Sequence, residues 1–454
     1  MIAPLFSKTA QLPSVIDLFS GCGGLGLGFA RAGFPMLASL DMDAAASKTA
    51  QYNLHSDTPS ATPTRARTGD IRDICPDDLI PKGFDGELIV IGGPPCQAYS
   101  MAGRGKLRSL GEHRIHTNDI RGNLYIDFLN FAIEANAAAI VMENVPASIN
   151  YGGQNIPELA CKKLIGQGYE ATWTILNAAD FGVPQRRERM FLIATRKNTG
   201  LRPIIPAPSF TCPEREQTQI GKTLARLLRE SDHFASPLTN TATQPWVTVA
   251  EALSDLPALF PSSTTPYHLP KPSEAKTYSS DAKNEFQQTM RGNKRASSAH
   301  AFRRTLRDFP IFEKMNPGDD YRNASEIAEA LFQEKLRTSG TRKESNPDRY
   351  NLLRKQTVPP YSQETFTDKW KKLHPDKVSH TVPAHLGTDT YSHIHPWEPR
   401  GISVREAARL QSFPDNFIFP STMSDAFKQI GNAVPPLLAE AIALSLKNEI
   451  LSIT

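Results

Sequence analysis

Cys96 stands in the run Gly92-Gly93-Pro94-Pro95-Cys96-Gln97-Ala98-Tyr99-Ser100, directly after the apolar stretch Leu88-Ile89-Val90-Ile91. A cysteine is most often a small buried hydrophobe. Here two glycines and two prolines argue against simple core filling. They set the thiol on a rigid turn just past a strand, at the rim where open sheets bind ligands. The thiolate is the attacking form, so covalent addition needs a helix N-terminus or an arginine nearby to lower the pKa. A second constellation runs Asp17-Leu18-Phe19-Ser20-Gly21-Cys22-Gly23-Gly24-Leu25-Gly26-Leu27-Gly28 and holds GxGxxG between a strand and a helix. Such glycines let the backbone approach a cofactor closely, and the helix N-terminus favours an anionic group. That pattern alone fits a dinucleotide equally well. Asp41-Met42-Asp43 closes the second strand, where a carboxylate could bond ribose hydroxyls, and Gly69-Asp70-Ile71 ends the next. A lone aspartate at a strand end is ordinarily a turn or capping residue. Three consecutive strand ends with one define a common edge.

These groups need a scaffold, and residues 14–200 supply one. Apolar runs at 15–19, 34–40, 88–91, 137–142 and 191–194 read as strands. Helical stretches at 25–32, 44–52 and 124–136 separate them. This alternation predicts an α/β fold, a mostly parallel sheet with helices on both faces. Residues 201–215 hold four prolines and read as a linker. Residues 258–375 lack sustained alternation and are rich in Pro, Ser, Thr, Lys and Arg, which predicts a smaller irregular domain. From about residue 380 pattern returns, and an apolar helix at 435–446 ends it. There is no internal repeat.

The run GGPPCQAYS resembles the catalytic loop of the cytosine-C5 DNA methyltransferases, and DLFSGCGGLGLGFA resembles that family's cofactor loop. Met142-Glu143-Asn144-Val145, Gln185-Arg186-Arg187-Glu188-Arg189, the block from Arg405 to Asp415 and Gly431-Asn432-Ala433-Val434-Pro435-Pro436 are similar to its other signatures, in the family's order. The matches cover roughly 14–200 and 375–450, and the interval between them corresponds to the family's variable target-recognition region. The resemblance is to the bacterial restriction-modification type. It implies the S-adenosylmethionine-dependent methyltransferase fold, which is Rossmann-like. Three regions follow: 14–257 for catalysis and cofactor, 258–375 for target recognition, and 376–454 supporting recognition and returning to the catalytic domain.

The resemblance also implies roles. Cys96 would add to carbon 6 of cytosine so that carbon 5 can take a methyl group. Glu143 would relieve charge at N3, which needs a raised pKa. Asn144 would orient the site, and Arg187 and Arg189 would hold the base carbonyl and the loop. S-adenosylmethionine would lie against Asp17, Phe19, Ser20, Gly21, Gly23, Gly24, Leu25, Asp41, Met42, Asp70, Ile71, Pro94, Asn432 and Val434. Asp41 is one methylene shorter than the glutamate more usual there. The base would be flipped out of double-stranded DNA. A loop over 99–119 would close on it, with Ser100, Arg104, Lys106 and Arg108 on the DNA. Arg405, Arg409 and Gln411 are weighted as structural. A monomer suffices, and a cognate restriction endonuclease would be a functional partner that is not stably bound.

Composition sets bounds on this. The 454 residues suggest two domains, and no run is long and apolar enough to span a bilayer. The N-terminus lacks a secretory signal, so the expected location is the cytoplasm. Five scattered cysteines without a CxxC pair argue against disulfides and a cysteine zinc site. His374, His380, His385, His393 and His395 lack metal spacing and read as satisfied loop histidines, so no metal is expected. The net charge of +4 is small, but residues 261–370 hold 19 Lys/Arg against 14 Asp/Glu. This suits a polyanion, although a solvated surface would read the same. Two rivals remain at this point: an RNA methyltransferase of the same family, and a catalytically dead regulator. A nicotinamide dehydrogenase explains only the glycine loop.

Overall fold

The computed structural model describes residues 12–56, 65–95, 124–212, 230–237, 242–259, 273–303, 305–360, 369–387 and 391–453. Cys96, Ser100, Arg104, Lys106, Arg108 and the loop expected at 99–119 lie outside the described residues. The chain divides into two units, one of 1–246 with 433–454 and the other of 247–432.

The first unit is built on a seven-stranded sheet. Its strands are β1 (Ser14–Leu18), β2 (Met36–Asp41), β3 (Ala66–Thr68), β4 (Leu88–Gly92), β5 (Ala139–Asn144), β6 (Tyr169–Asn177) and β7 (Glu188–Arg196), in the order β3-β2-β1-β4-β5-β7-β6. The first five are parallel, and β7 runs antiparallel to both β5 and β6. Strand order reverses between β1 and β4. In open α/β sheets that switch point leaves a crevice outside the carboxyl ends of the strands. The glycine loop leaves β1 there, and the Gly-Gly-Pro-Pro turn leaves β4 beside it.

Alternation along the strands sends side chains to two separate cores. Ile16, Leu18, Val90, Ile140 and Met142 meet Phe128 and Leu129 of α3 (Leu124–Glu134) and Leu164 of α4 (Ile156–Gly166) on one face. Val15, Ile89, Ile91, Ala139 and Val141 meet Leu25 and Phe29 of α1 (Gly24–Arg31) on the other, together with Leu438, Ile442 and Leu446 of the C-terminal helix (Pro436–Ile453). Helix α2 (Ala44–Leu54) follows β2 and is capped by Asp43, which accepts from the Ala45 and Ala46 amides. The edge strand β6 was not among the expected strands. Its sequence YEATWTILN carries only a partial alternation, and it is held by pairing with β7 along its length.

The second unit carries the helices Val249–Leu253, Glu285–Arg291, Phe309–Lys314, Tyr321–Ser339, Pro347–Lys355, Val404–Leu410 and Met423–Asn432. The 19-residue helix Tyr321–Ser339 lies where composition suggested irregular chain. Its buried Tyr321, Ala324, Ala328 and Phe332 follow a helical repeat that a regional average hides. Its first residues join Phe312, Trp370 and Ile394 in the core of this unit. The division at 246/247 and 432/433 differs from the expected 257/258 and 375/376. The buried Arg409 guanidinium ties the 249–255 segment to this unit, donating to the Ala252 carbonyl and to Asp255 at 3.0 Å. It also pairs with Asp415. Arg400 pairs with Glu406 at 2.8 Å, and Arg405 donates to the carbonyls of Ser298, Pro414 and Phe417. Helix Val404–Leu410 is buried throughout, so its arginines work as internal braces.

One glycine fixes how the C-terminal helix lies on α1. A Cβ on Gly28 would stand 2.3 Å from the Ala439 Cβ and 2.5 Å from the Glu440 nitrogen. Alanine gains about 1 kcal/mol over glycine in a helix interior, but overpacking a closed contact costs about 1–3 kcal/mol. Gly28→Ala is therefore expected to lower the urea midpoint. Gly166→Ala, at a helical site where a Cβ meets nothing within 4 Å, should leave it unchanged or raise it. Equal midpoints for the two variants would contradict the close approach.

Candidate active site

The glycine loop begins with a backbone reversal. Phe19 has φ 56°, a left-handed value unusual for a bulky residue, and Gly21 and Gly23 follow at 55° and 90°. This folds the chain back so that the Gly21 amide donates to Asp41 Oδ2 at 2.7 Å. Asp41 Oδ1 accepts from the Asp43 amide at 2.8 Å. Both oxygens of this carboxylate are thus engaged by backbone, and it ties the loop after β1 to the turn after β2. Met42, beside it, is 62% exposed, a thioether left bare at the rim.

Asp17 lies beneath the loop, fully buried, with Oδ2 accepting from the Gly26 amide at 3.1 Å. Burial raises its carboxyl well above the usual range against that hydrogen bond, and Asp41 adds to the rise. Asp17 Oδ1 and the buried Ser20 Oγ have no hydrogen-bond partner among the described residues. Buried polar atoms are nearly always paired, so two orphans under one glycine loop fit a polar ligand placed there. Asp70 is held differently. Its carboxylate takes the Arg72 guanidinium and the Arg72 amide at 3.0 Å, which lowers its pKa, and the neighbouring Ile71 is buried.

The second cluster gathers at the ends of β4, β5 and β7. Glu143 Oε1 meets Arg189 Nε at 2.9 Å, with both side chains largely buried. Burial pushes the Glu143 carboxyl up, and Arg189 and then Arg187 pull it partly back. A Cβ on Gly93 would stand 2.8 Å from Glu143 Oε2, so this glycine leaves room for the carboxylate. Asn144 is buried, donates to the Pro94 carbonyl at 3.3 Å and accepts from the Val145 amide at 2.8 Å. It therefore clasps the turn that leads into Cys96. Arg187 is buried 10 residues beyond Asn177, whose Oδ1 accepts the Arg187 amide at 3.2 Å.

Val434 packs with Leu25 and Phe29 in the core of the first unit. Asn432 is exposed at the end of a helix of the second unit. Other contributors were not anticipated. Gly93 gives space to Glu143, Asn177 pins the arginine turn, and Asp180 Oδ1 accepts from Trp246 Nε1 at 3.0 Å beneath Arg186. An asparagine at a strand end is a turn signal, but its partner cannot be read from spacing. Among the histidines of the second unit, His393 is buried against the His380 carbonyl, and His395 accepts the Glu398 amide at 2.9 Å.

The profile of the C-5 cytosine-specific DNA methylases matches residues 14–448. The chain belongs to this family. Its relatives include M.OihORF3336P of Oceanobacillus iheyensis, whose name marks it as an unconfirmed type II methyltransferase, 50% identical over 98% of this chain and 97% of that one. The type II methyltransferase M.AgeI of Thalassovita gelatinovora is 32% identical over 95% and 98%. A solved E. coli prophage protein described as a candidate DNA modification methyltransferase shares the fold, with TM-score 0.63 at 23% identity over 97% and 99% of the two chains. The sheet is accordingly that of the S-adenosylmethionine-dependent methyltransferases, and the protein is a cytosine-C5 DNA methyltransferase by family.

The Asp17 carboxyl gives a direct check on the buried polar atoms beneath the glycine loop. Its folded pKa lies above the unfolded value near 3.9. The folded state then keeps a proton that the unfolded chain releases, so stability falls as pH rises from about 4 and levels off above the raised value. Asp17→Asn still offers an oxygen to the Gly26 amide and does not titrate. The variant should gain on the wild type with rising pH in urea unfolding while losing S-adenosylmethionine affinity at least about tenfold, or 1.4 kcal/mol. Parallel pH profiles would contradict the buried, raised carboxyl.

Proposed function

We propose that this protein methylates carbon 5 of a cytosine flipped out of double-stranded DNA, with Cys96 as covalent nucleophile and S-adenosylmethionine as methyl donor. The observation that carries this reading is the Glu143–Arg189 pair, buried at the sheet edge where Asn144 clasps the turn leading to Cys96. S-adenosylmethionine supplies an electrophilic methyl group on a sulfonium. Asp17, Ser20 and the loop at Gly21, Gly23, Gly24 and Leu25 would hold its polar part. Phe19, Asp41, Met42, Asp70 and Ile71 would hold the adenosine, with Pro94, Asn432 and Val434 completing the pocket.

The Cys96 thiolate adds to carbon 6, forming the S–C6 bond and moving a ring electron pair toward C5 and N3. Burial raises the Glu143 carboxyl, which suits it to carry a proton and give it to N3. Carbon 5 would then bond to the methyl group as the methyl's bond to the sulfonium sulfur breaks, and S-adenosylhomocysteine would leave with that electron pair. A base removes the C5 proton, the electron pair returns to the ring, and the S–C6 bond breaks to free Cys96. Arg189 holds the Glu143 carboxyl in place, and Arg187 and Arg189 face the base carbonyl. The balance at Glu143 suits an acid that must also take its proton back, because burial and the arginines oppose each other.

The unit 247–432 would read the DNA sequence, with Ser100, Arg104, Lys106 and Arg108 on the strand that carries the flipped base. Action on one strand at a time needs only a monomer in the cytoplasm. Among the described residues no helix is long and apolar enough to cross a membrane. A cognate restriction endonuclease, blocked by the mark, is the functional partner that the type II relatives suggest.

Bisulfite sequencing of plasmid from a host without cytosine methylation tests this. Wild-type protein should protect cytosines in one short sequence context, and Cys96→Ser should protect none. Full conversion in both, from folded protein that binds S-adenosylmethionine, would refute the DNA substrate.

A further inference from the structure

We propose that the helical hairpin at 321–358 grips the phosphate backbone of duplex DNA without reading bases. This rests on the DNA-methylating function proposed above. The hairpin's two arms are Tyr321–Ser339 and Pro347–Lys355. Its root is anchored, because Tyr321, Ala324 and Ala328 lie in the core of the second unit with Phe312 and Trp370. The arms then hold each other. Phe332 meets Tyr350 edge-on at 5.1 Å, Arg354 pairs with Glu329 at 3.1 Å, and Lys335 Nζ donates to Thr357 Oγ1 at 3.1 Å. Gly340 turns the chain at φ 63°, and Asn346 caps the returning helix by accepting from the Arg349 amide. The returning helix buries none of its residues.

Charge separates along this element. The anchored half carries Glu326, Glu329 and Glu334. Residues 335–355 hold seven Lys/Arg against two Asp/Glu, an excess of five. Residues 261–370 together hold 19 Lys/Arg against 14 Asp/Glu, also an excess of five, so the local basic charge resides on the tip of the hairpin and on the returning arm, whose Arg354 lies against Glu329. Arg337, Arg342, Lys343, Arg349 and Lys355 are all exposed. An ordinary solvated face balances both signs, whereas residues 335–355 carry an excess of five cations. An element about 28 Å long, at 1.5 Å per residue, with a net excess of cations on its tip and returning arm matches a surface of regularly spaced phosphates. The exposed cations outnumber the exposed amides Asn346, Asn351 and Gln356 on this stretch, so the main contact is with phosphate, which positions the protein rather than specifying bases.

The test is binding of a non-cognate duplex of about 40 base pairs as a function of salt, where each phosphate contact adds about 0.9 to the slope of log K on log salt. In the variant Arg342→Gln/Lys343→Gln/Arg349→Gln/Lys355→Gln, which spares Arg354 and Lys335, the slope should fall by about 2–4 and Kd at low salt should rise at least about tenfold. The bisulfite-protected context should stay the same, and circular dichroism should confirm the helices. Glu344→Lys/Asp348→Lys should steepen the slope. Unchanged slopes in both folded variants would overturn the clamp. The two proposals fail separately. Absence of cytosine methylation by wild-type protein removes the enzymatic reading, whereas unchanged slopes with methylation intact remove the clamp alone.

Discussion

A Cβ on Gly92 would stand 2.2 Å from the Leu18 carbonyl oxygen, and much of the site depends on that close approach. It lets the carboxyl ends of β1 and β4 lie side by side at the point where strand order reverses. Apart from Phe19, the loop between β1 and α1 is serine, cysteine and glycine, and the turn after β4 is glycine and proline. One presents backbone amides, and the other leads into Cys96 in the sequence. Neither would face the other if the sheet were wound without a switch point. The parallel core, with apolar side chains on both faces, keeps this edge rigid.

Electrostatics does the rest with few charges. Burial makes Asp17 and Glu143 reluctant to ionise, and their partners differ. Asp17 has one backbone amide and a bare oxygen. Glu143 has a guanidinium at 2.9 Å. A carboxyl poised between desolvation and a cation can give and regain a proton at modest cost. Asp41 and Asp70 are spent differently, on backbone amides and on Arg72, and so organise loops before they touch any ligand.

Much of this was legible in the sequence where a short motif coincides with a strand end. The runs at 17–28 and 92–96 announce themselves by glycine and proline, and the apolar strands behind them by composition. What spacing could not show is pairing across the chain. Asn177 meets Arg187, Trp246 meets Asp180, and Arg409 meets Asp255, each through a fold that a linear reading cannot supply. Edge strand β6 was missed because its register is set by β7. The long helix at 321–339 was missed because its four buried positions are diluted by charge. Asp41 was expected on a ribose, and its first visible task is to hold the Gly21 amide.

Under the proposed mechanism Cys96 bonds to the base it activates. The most direct measurement replaces the target cytosine, in the context that bisulfite identifies, with 5-fluorocytosine. Fluorine cannot leave as a cation, so the last elimination stops. With S-adenosylmethionine present, mass spectrometry should find one protein joined to one DNA strand plus a methyl group, and peptide mapping should place the bond on Cys96. Free protein in that mixture, while ordinary cytosine is still methylated, would contradict the claim, as would a bond to any other cysteine.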